Sequence, residues 1–179
     1  MKQSIKSSHD TLSIKTGQIL NPGTLFRIFE NGAHNYADTT DLFADKISLV
    51  FMGPAPFSRL DTQQATEYEQ LSTELLKYVD VVYGIYCQDA FVMREFEMRI
   101  QEKAGSKNIQ FWADGDGTFC QKNKLFHDFT NTGLGYRSGR WCFLLDKGEV
   151  LYVACDDFKE IDITGASTIL ELLKESSET

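Results

Sequence analysis

ISLVFMGPAPFSRLDT, residues 47–62, reads in three parts. ISLVFMG is a continuous apolar run ending in glycine, the pattern of a central strand buried on both faces. PAPF holds two of the chain's three prolines, only two positions apart, and makes a stiff loop. A helix should follow: from Thr62 to Tyr78 the residues are mostly good helix formers, with Ala65, Tyr68, Leu71, Leu75 and Leu76 returning at three- and four-residue spacing. Strand, rigid loop and crossover helix together are the opening unit of an α/β domain.

The flanks extend that unit. Upstream, TLFRIFE (24–30) alternates well enough for a first strand, and NGAHNYADTT (31–40) is turn-rich. Downstream, VDVVYGIYC (79–87) is strand-like. QDAFVMREFEMRIQEK follows with Asp89 as N-cap and Val92, Phe96 and Ile100 along one face. NIQFWAD (108–114) gives another short strand, and DGDGTF turns the chain into a helix around 118–126. RWCFLLD and EVLYVAC flank Lys147-Gly148, a two-residue hairpin turn, and ITGASTILELLKES closes as an amphipathic helix. The order predicts an α/β fold of the thioredoxin-like pattern, a central mixed β-sheet flanked by helices on both faces. Residues 1–13 read as a flexible N-terminal arm and 14–175 as a single domain.

Composition narrows the function classes. With 179 residues, 42% apolar and 12% aromatic, the chain can build one sizeable core and not two. A formal net charge of -8, with 18 scattered Lys and Arg, argues against nucleic acid as a partner. The polar MKQSIKSSHDTLSIK start lacks the apolar core of a signal peptide, and no run approaches the roughly 18 apolar residues of a membrane span. A cytoplasmic protein is expected. The four cysteines, Cys87, Cys120, Cys142 and Cys155, form no C-x-x-C pair and no zinc-type spacing with histidine, so they read as isolated thiols of a reducing compartment. DGDG is not followed by the glutamate that closes a calcium loop, and GLG (133–135) has no lysine or helix start to cradle a phosphate. No metal or cofactor is expected.

Five stretches in order, DLFADK, QDAFVMREF, WADGDGTF, GLGYRSGRW and LLDKGEVLYV, together with the proline loop, resemble the peroxiredoxins. The likeness runs from about Ile14 to Leu173 and is to the atypical, type II redoxin-domain branch (AhpC/TSA-like). The family signature P-x-x-x-T/S-x-x-C is met by Pro54 and Ser58, but Asp61 stands where the resemblance places the peroxidatic cysteine. No cysteine lies between Gly53 and Tyr86. In the family a thiolate at a helix start, held by backbone N–H groups and an arginine, attacks a peroxide oxygen. The hydroxyl and arginine orient the peroxide and stabilise the leaving oxygen, and the proline shields the site. By resemblance Pro54, Ser58 and Arg140 take those accessory roles, and a homodimer is implied.

An aspartate cannot pass through a sulfenic acid, but it keeps the negative charge. Asp61 is expected to be ionised, held so by the helix N-terminus and by an ion pair with Arg140; the competing expectation is a plain solvent-exposed acid in the first helical turn. Ser58 reads equally as a turn hydroxyl, and Arg137 as loop support. Cys120 sits early in a helix, where the dipole could lower its pKa, but His127 is two turns away, about 10 Å, too far to activate it directly. Cys87 reads as a packing residue. With Lys147-Gly148 as the turn, Cys142 should face Val153 and lie diagonal to Cys155 at about 7–8 Å, too far for an unstrained disulfide. Two function classes follow. One is a peroxiredoxin-like binding, sensor or structural protein that lacks thiol peroxidase activity, with a protein partner or a small anionic ligand in the pocket. The other is an enzyme, either a thiol-dependent peroxidase using another cysteine such as Cys120, or one that uses the Asp61, Ser58, Arg140 pocket on a different small substrate.

Overall fold

A computed structural model describes residues 12–178. Most of the N-terminal arm expected at 1–13 lies outside them. The strands are β1 (Thr24–Ile28), β2 (His34–Asp38), β3 (Ile47–Met52), β4 (Val81–Tyr86), β5 (Gln110–Ala113), β6 (Phe126–Phe129), β7 (Gly135–Ser138), β8 (Arg140–Asp146) and β9 (Glu149–Asp156). The helices are α1 (Thr39–Phe43), α2 (Arg59–Gln70), α3 (Ser72–Leu75), α4 (Ala90–Ala104), α5 (Thr118–Lys122) and α6 (Ala166–Ser177).

Seven strands form one mixed sheet in the order β2-β1-β5-β4-β3-β8-β9, and β6 and β7 pair separately. The apolar run around Val50 lies near the middle, β3 running parallel to β4 on one side and antiparallel to β8 on the other. Alternate residues of that strand feed two different cores. Leu49 and Phe51 pack with Tyr68 of α2, Phe96 of α4 and Leu170 of α6. Val50 and Met52 pack with Phe43 of α1, Phe119 of α5 and Trp141. Both faces are therefore covered, which is why the strand needs no polar alternation.

Four local expectations are corrected. NGAHNYADTT is not simply a turn: it contains β2, fully paired to β1, and Asp38 then caps α1 by accepting from the Thr40 N–H. Its composition hid an edge strand whose side chains are mostly exposed. The helix expected over 62–78 starts earlier, at Arg59, and breaks at Leu71 into α2 and α3. There the Glu69 carbonyl accepts the Ser72 and Ser106 hydroxyls, a local competition with the helical ladder. The helix expected around 118–126 ends at Lys122, because Lys124 takes a positive φ and Phe126 begins β6. On α4, Asp89 is the N-cap as expected, but Met93 and Glu97 join Phe96 and Ile100 on the buried face, with Val92 at its margin.

The β8–β9 hairpin turns at Lys147 (φ 52°) and Gly148 (φ 87°), as the Lys-Gly pair predicts. Beyond it the register shifts by one between Leu144 and Leu145, so Cys142 pairs with Ala154 and Trp141 with Cys155. Cys142 does not face Val153. The extra residue is Leu151, and the bulge sends Cys142 and Cys155 to opposite faces of the sheet, which rules out a bond between them more firmly than distance would.

Candidate functional site

The loop from Gly53 to Ser58 ends β3 and starts α2. Phe57 adopts a left-handed backbone (φ 69°) and lays its ring edge-on to Phe96, with centroids 5.2 Å apart. Ser58 then takes extended angles and caps α2, its hydroxyl oxygen accepting the Asp61 N–H at 3.2 Å. Pro54 is buried in the same loop.

Asp61 therefore sits in the first turn of α2 and points inward. It is fully buried. Its Oδ2 accepts the Ser58 hydroxyl at 2.9 Å and the Ala55 N–H at 3.2 Å, while its Oδ1 accepts Nη1 of Arg140 at 3.0 Å. Arg140, the first residue of β8, has a side chain only 1% exposed and also donates from Nη1 to Gln64 Oε1 at 2.7 Å. Of the two readings of Asp61, the solvent-exposed acid is excluded and the buried ion pair is found. The structure thus brings Ser58, Asp61 and Arg140 into direct contact.

Two features of this site were not read from the sequence. Gln64 lies one turn beyond Asp61 and bridges onward: its amide donates to the Thr164 hydroxyl and carbonyl. Thr164 in turn donates to Asp156, which also accepts the N–H groups of Asp162, Ile163 and Thr164. The second is Gly53. A Cβ at this position would overlap Oδ1 of Asp61 and crowd the Tyr86 ring, so the carboxylate fits only because residue 53 has no side chain. The i, i+3 spacing of Asp61 and Gln64 and the glycine closing an apolar strand were the only available signals.

The electrostatics correct one expectation. Burial pushes the Asp61 carboxyl above its usual value, against the opposing pull of Arg140, Ser58 and Ala55. Helix start and arginine do not hold it low, because desolvation is the larger effect. Arg137 only reaches the neighbouring Tyr136 carbonyl, at 3.4 Å.

The surface over the pair is a cleft of about 420 Å³ lined by Ser58, Arg59, Leu60, Arg140, Phe158 and Lys159. A larger groove lies elsewhere on α2, between α4 and α6, and includes none of Asp61, Ser58 or Arg140. The smaller cleft is the one beside the polar cluster.

Three of the thiols, Cys120, Cys142 and Cys155, are poorly placed to replace a nucleophile at this position. Burial raises Cys142 to about 12, although Tyr68 lies within hydrogen-bond reach of its sulfur at 3.4 Å. Burial likewise raises Cys155 to about 12. Cys120 is fully buried, and its thiol is pushed well up instead of being lowered by the helix start. The N–H groups of Phe119 and Cys120 are already taken by the Asp114 carboxylate.

Three relatives place the chain. No family model matches it. A peroxiredoxin of Rhizobium etli is 32% identical over 114 residues, 63% of this chain and 62% of that protein. Peroxiredoxin-2C of Oryza sativa subsp. japonica is 31% identical over 137 residues, 74% of this chain and 81% of the relative. The chain belongs to the peroxiredoxin family. Reduced Prx3 of Vibrio vulnificus, solved in complex with hydrogen peroxide, superposes with a TM-score of 0.80 at 30% identity, covering 89% of this chain and 99% of that one. The thioredoxin-like α/β fold is thereby shown for this peroxiredoxin as well. Among its described residues no helix is long and apolar enough to cross a membrane.

Proposed function

We propose that this peroxiredoxin does not run a thiol–peroxide cycle at the start of α2 and acts as a binding, sensing or structural member of its family. The observation that carries the reading is Asp61 itself. It occupies the first turn of α2, where the P-x-x-x-T/S-x-x-C pattern would put the reactive cysteine, and it is sealed by Ser58 and Arg140. A carboxylate has no sulfur to oxidise, so the attack that breaks a peroxide O–O bond and leaves a sulfenic acid has no counterpart here. The site also holds its own anion. Arg140 already faces a carboxylate and an amide oxygen, which leaves less attraction for a peroxide or another small anion than an unpaired guanidinium would offer. A ligand in the adjacent cleft would meet Arg59 and Lys159 first.

The test is peroxide consumption with a dithiol reductant, wild type beside Asp61→Cys. Turnover only in the variant is the expected result, because Ser58, Arg140 and Pro54 remain to orient the peroxide. Wild-type turnover above the rate of the reductant alone would overturn the proposal. A homodimer in the cytoplasm belongs to the same reading, and sedimentation of the purified chain would report on the dimer.

A further inference from the structure

Away from Asp61, two cysteines that are 33 positions apart meet at the end of β4. The Asp114 N–H donates to the Tyr86 carbonyl at 2.8 Å and brings the DGDG turn against the residue that follows the strand, Cys87. The Asp114 carboxylate then accepts the N–H groups of Phe119 and Cys120 at 3.1 and 2.9 Å, fixing the first turn of α5 in place. The consequence is that Cys87 and Cys120 become neighbours, Cys87 packing against the apolar cluster that holds Cys120. The Cys87 sulfur lies close to the turn: a Cβ on Gly117 would sit 3.6 Å from it, between the sulfur and the Phe126 ring. Cys87 is half-buried and Cys120 fully buried, so a reagent arriving from solvent meets Cys87 first.

The two thiols are also chemically unequal. The neighbouring Cys120 thiol lowers the Cys87 pKa, with Arg137 helping and with burial, Asp114 and Asp116 opposing. Cys87 in turn raises Cys120 well above the usual thiol range, reinforced by burial and Asp114. An accessible thiol with the greater thiolate fraction, backed by a buried neighbouring thiol, is the arrangement that thiol–disulfide exchange uses.

We propose that Cys87 and Cys120 form a thiol–disulfide exchange site that accepts a small dialkyl disulfide, such as oxidised glutathione, and closes to an internal Cys87–Cys120 disulfide. The Cys87 thiolate attacks one sulfur of the small disulfide; its S–S bond breaks, and one thiolate leaves with the electron pair and takes a proton. The Cys120 sulfur, giving up its proton to solvent, then attacks the Cys87 sulfur and expels the second small thiolate. In total the protein dithiol loses two protons and two electrons, and the small disulfide takes them up to become two thiols.

The experiment incubates the reduced full chain with oxidised glutathione, followed by alkylation, intact mass and peptide mapping. The expected product has lost two hydrogens, joins the Cys87 and Cys120 peptides, and carries alkylated Cys142 and Cys155. Cys120→Ala should stop at a glutathione adduct on Cys87, and Cys87→Ala should show neither product. A wild type that keeps glutathione on Cys87 without closing the internal bond, or that remains a tetrathiol while its circular dichroism is native, overturns the proposal. Should Cys120→Ala fail to fold, the wild-type peptide map still decides. This outcome is separate from the role of Asp61, since the oxidant is a disulfide and the readout is covalent mass.

Discussion

Removing Asp61 should cost this peroxiredoxin much of its stability. The Arg140 side chain is 1% exposed, and its described partners are the Asp61 carboxylate and the Gln64 amide oxygen. Its Nε is buried without a hydrogen-bond partner. In Asp61→Ala the guanidinium keeps its charge, loses its counter-charge, and faces a cleft whose rim carries Arg59 and Lys159. Leaving one member of a buried pair uncompensated costs about 3–5 kcal/mol. For a domain of this size each kcal/mol moves the melting temperature by about 2–4 °C, so a fall of roughly 6–20 °C is expected at neutral pH. The pair as a whole is a different matter. Burial outweighs Arg140 in setting the Asp61 pKa, which marks the charge as expensive to keep inside. Asp61→Ala combined with Arg140→Met should therefore lose less than the sum of the single variants, because no orphan charge remains. Thermal melts of the four proteins close the cycle. An Asp61→Ala protein melting within about 2 °C of wild type, less than about 1 kcal/mol, would refute the ion-pair argument, as would strict additivity of the double variant.

Gly53→Ala should destabilise by about 3 kcal/mol or more, since a Cβ there displaces the carboxylate from Arg140, and the penalty should shrink in the Asp61→Ala background; denaturant titrations of the two pairs check this. Formate should raise the melting temperature of Asp61→Ala and leave wild type unchanged, because only the variant has an unpaired Arg140 for the anion to meet. The pH dependence has a definite sign. The folded-state pKa of Asp61 lies above the unfolded value, so its protonation favours the native state; the stability of wild type relative to Asp61→Asn should increase as pH falls from neutral toward about 4, and the opposite slope counts against the burial argument. Asp156→Ala leaves three backbone N–H groups and the Thr164 hydroxyl without their acceptor and should cost about 2–4 kcal/mol, with hydrogen exchange quickening at residues 162–164.

The parts of this structure that could be read from the chain are those where one physical pattern dominates. The 47–53 run announced a strand buried on both faces, and Lys147-Gly148 announced a tight turn; both are local statements about apolar surface or backbone φ. The proline loop marked the break between β3 and α2, although the helix begins at Arg59 and not at the expected Thr62. The failures share a cause too. The β2 strand is exposed and polar, so its pairing to β1 is supplied by the neighbour and not by its own pattern. The β8–β9 bulge depends on how Leu151 sits after the turn, and no composition signal marks it, yet it decides which face each of two cysteines occupies. The approach of Cys120 to Cys87 depends on Asp114 tying a loop to the end of β4, a non-local bond that spacing between cysteines cannot register.

The polar residues around Asp61 make more sense as a strut than as a vacancy. Asp61 meets Arg140, Arg140 meets Gln64, Gln64 meets Thr164 and Thr164 meets Asp156, a continuous hydrogen-bonded path from the start of α2 across β8 to the end of β9 and the loop before α6. Tyr68 joins the same point, donating to the Thr164 carbonyl at 2.7 Å. A mobile oxidisable group at position 61 would have to leave Arg140 and return during every cycle, and the whole path would feel each departure. A carboxylate that never leaves removes that requirement. It lets Gly53 close against it without room for a substrate, and it lets the arginine act as a fixed tie between helix and sheet. While Asp61 is in place, each of those adjustments packs the site more closely and leaves less room for a peroxide. On the function proposed above, a structural tie of this kind gives Ser58 and Arg140 a role in holding helix to sheet without a part in catalysis.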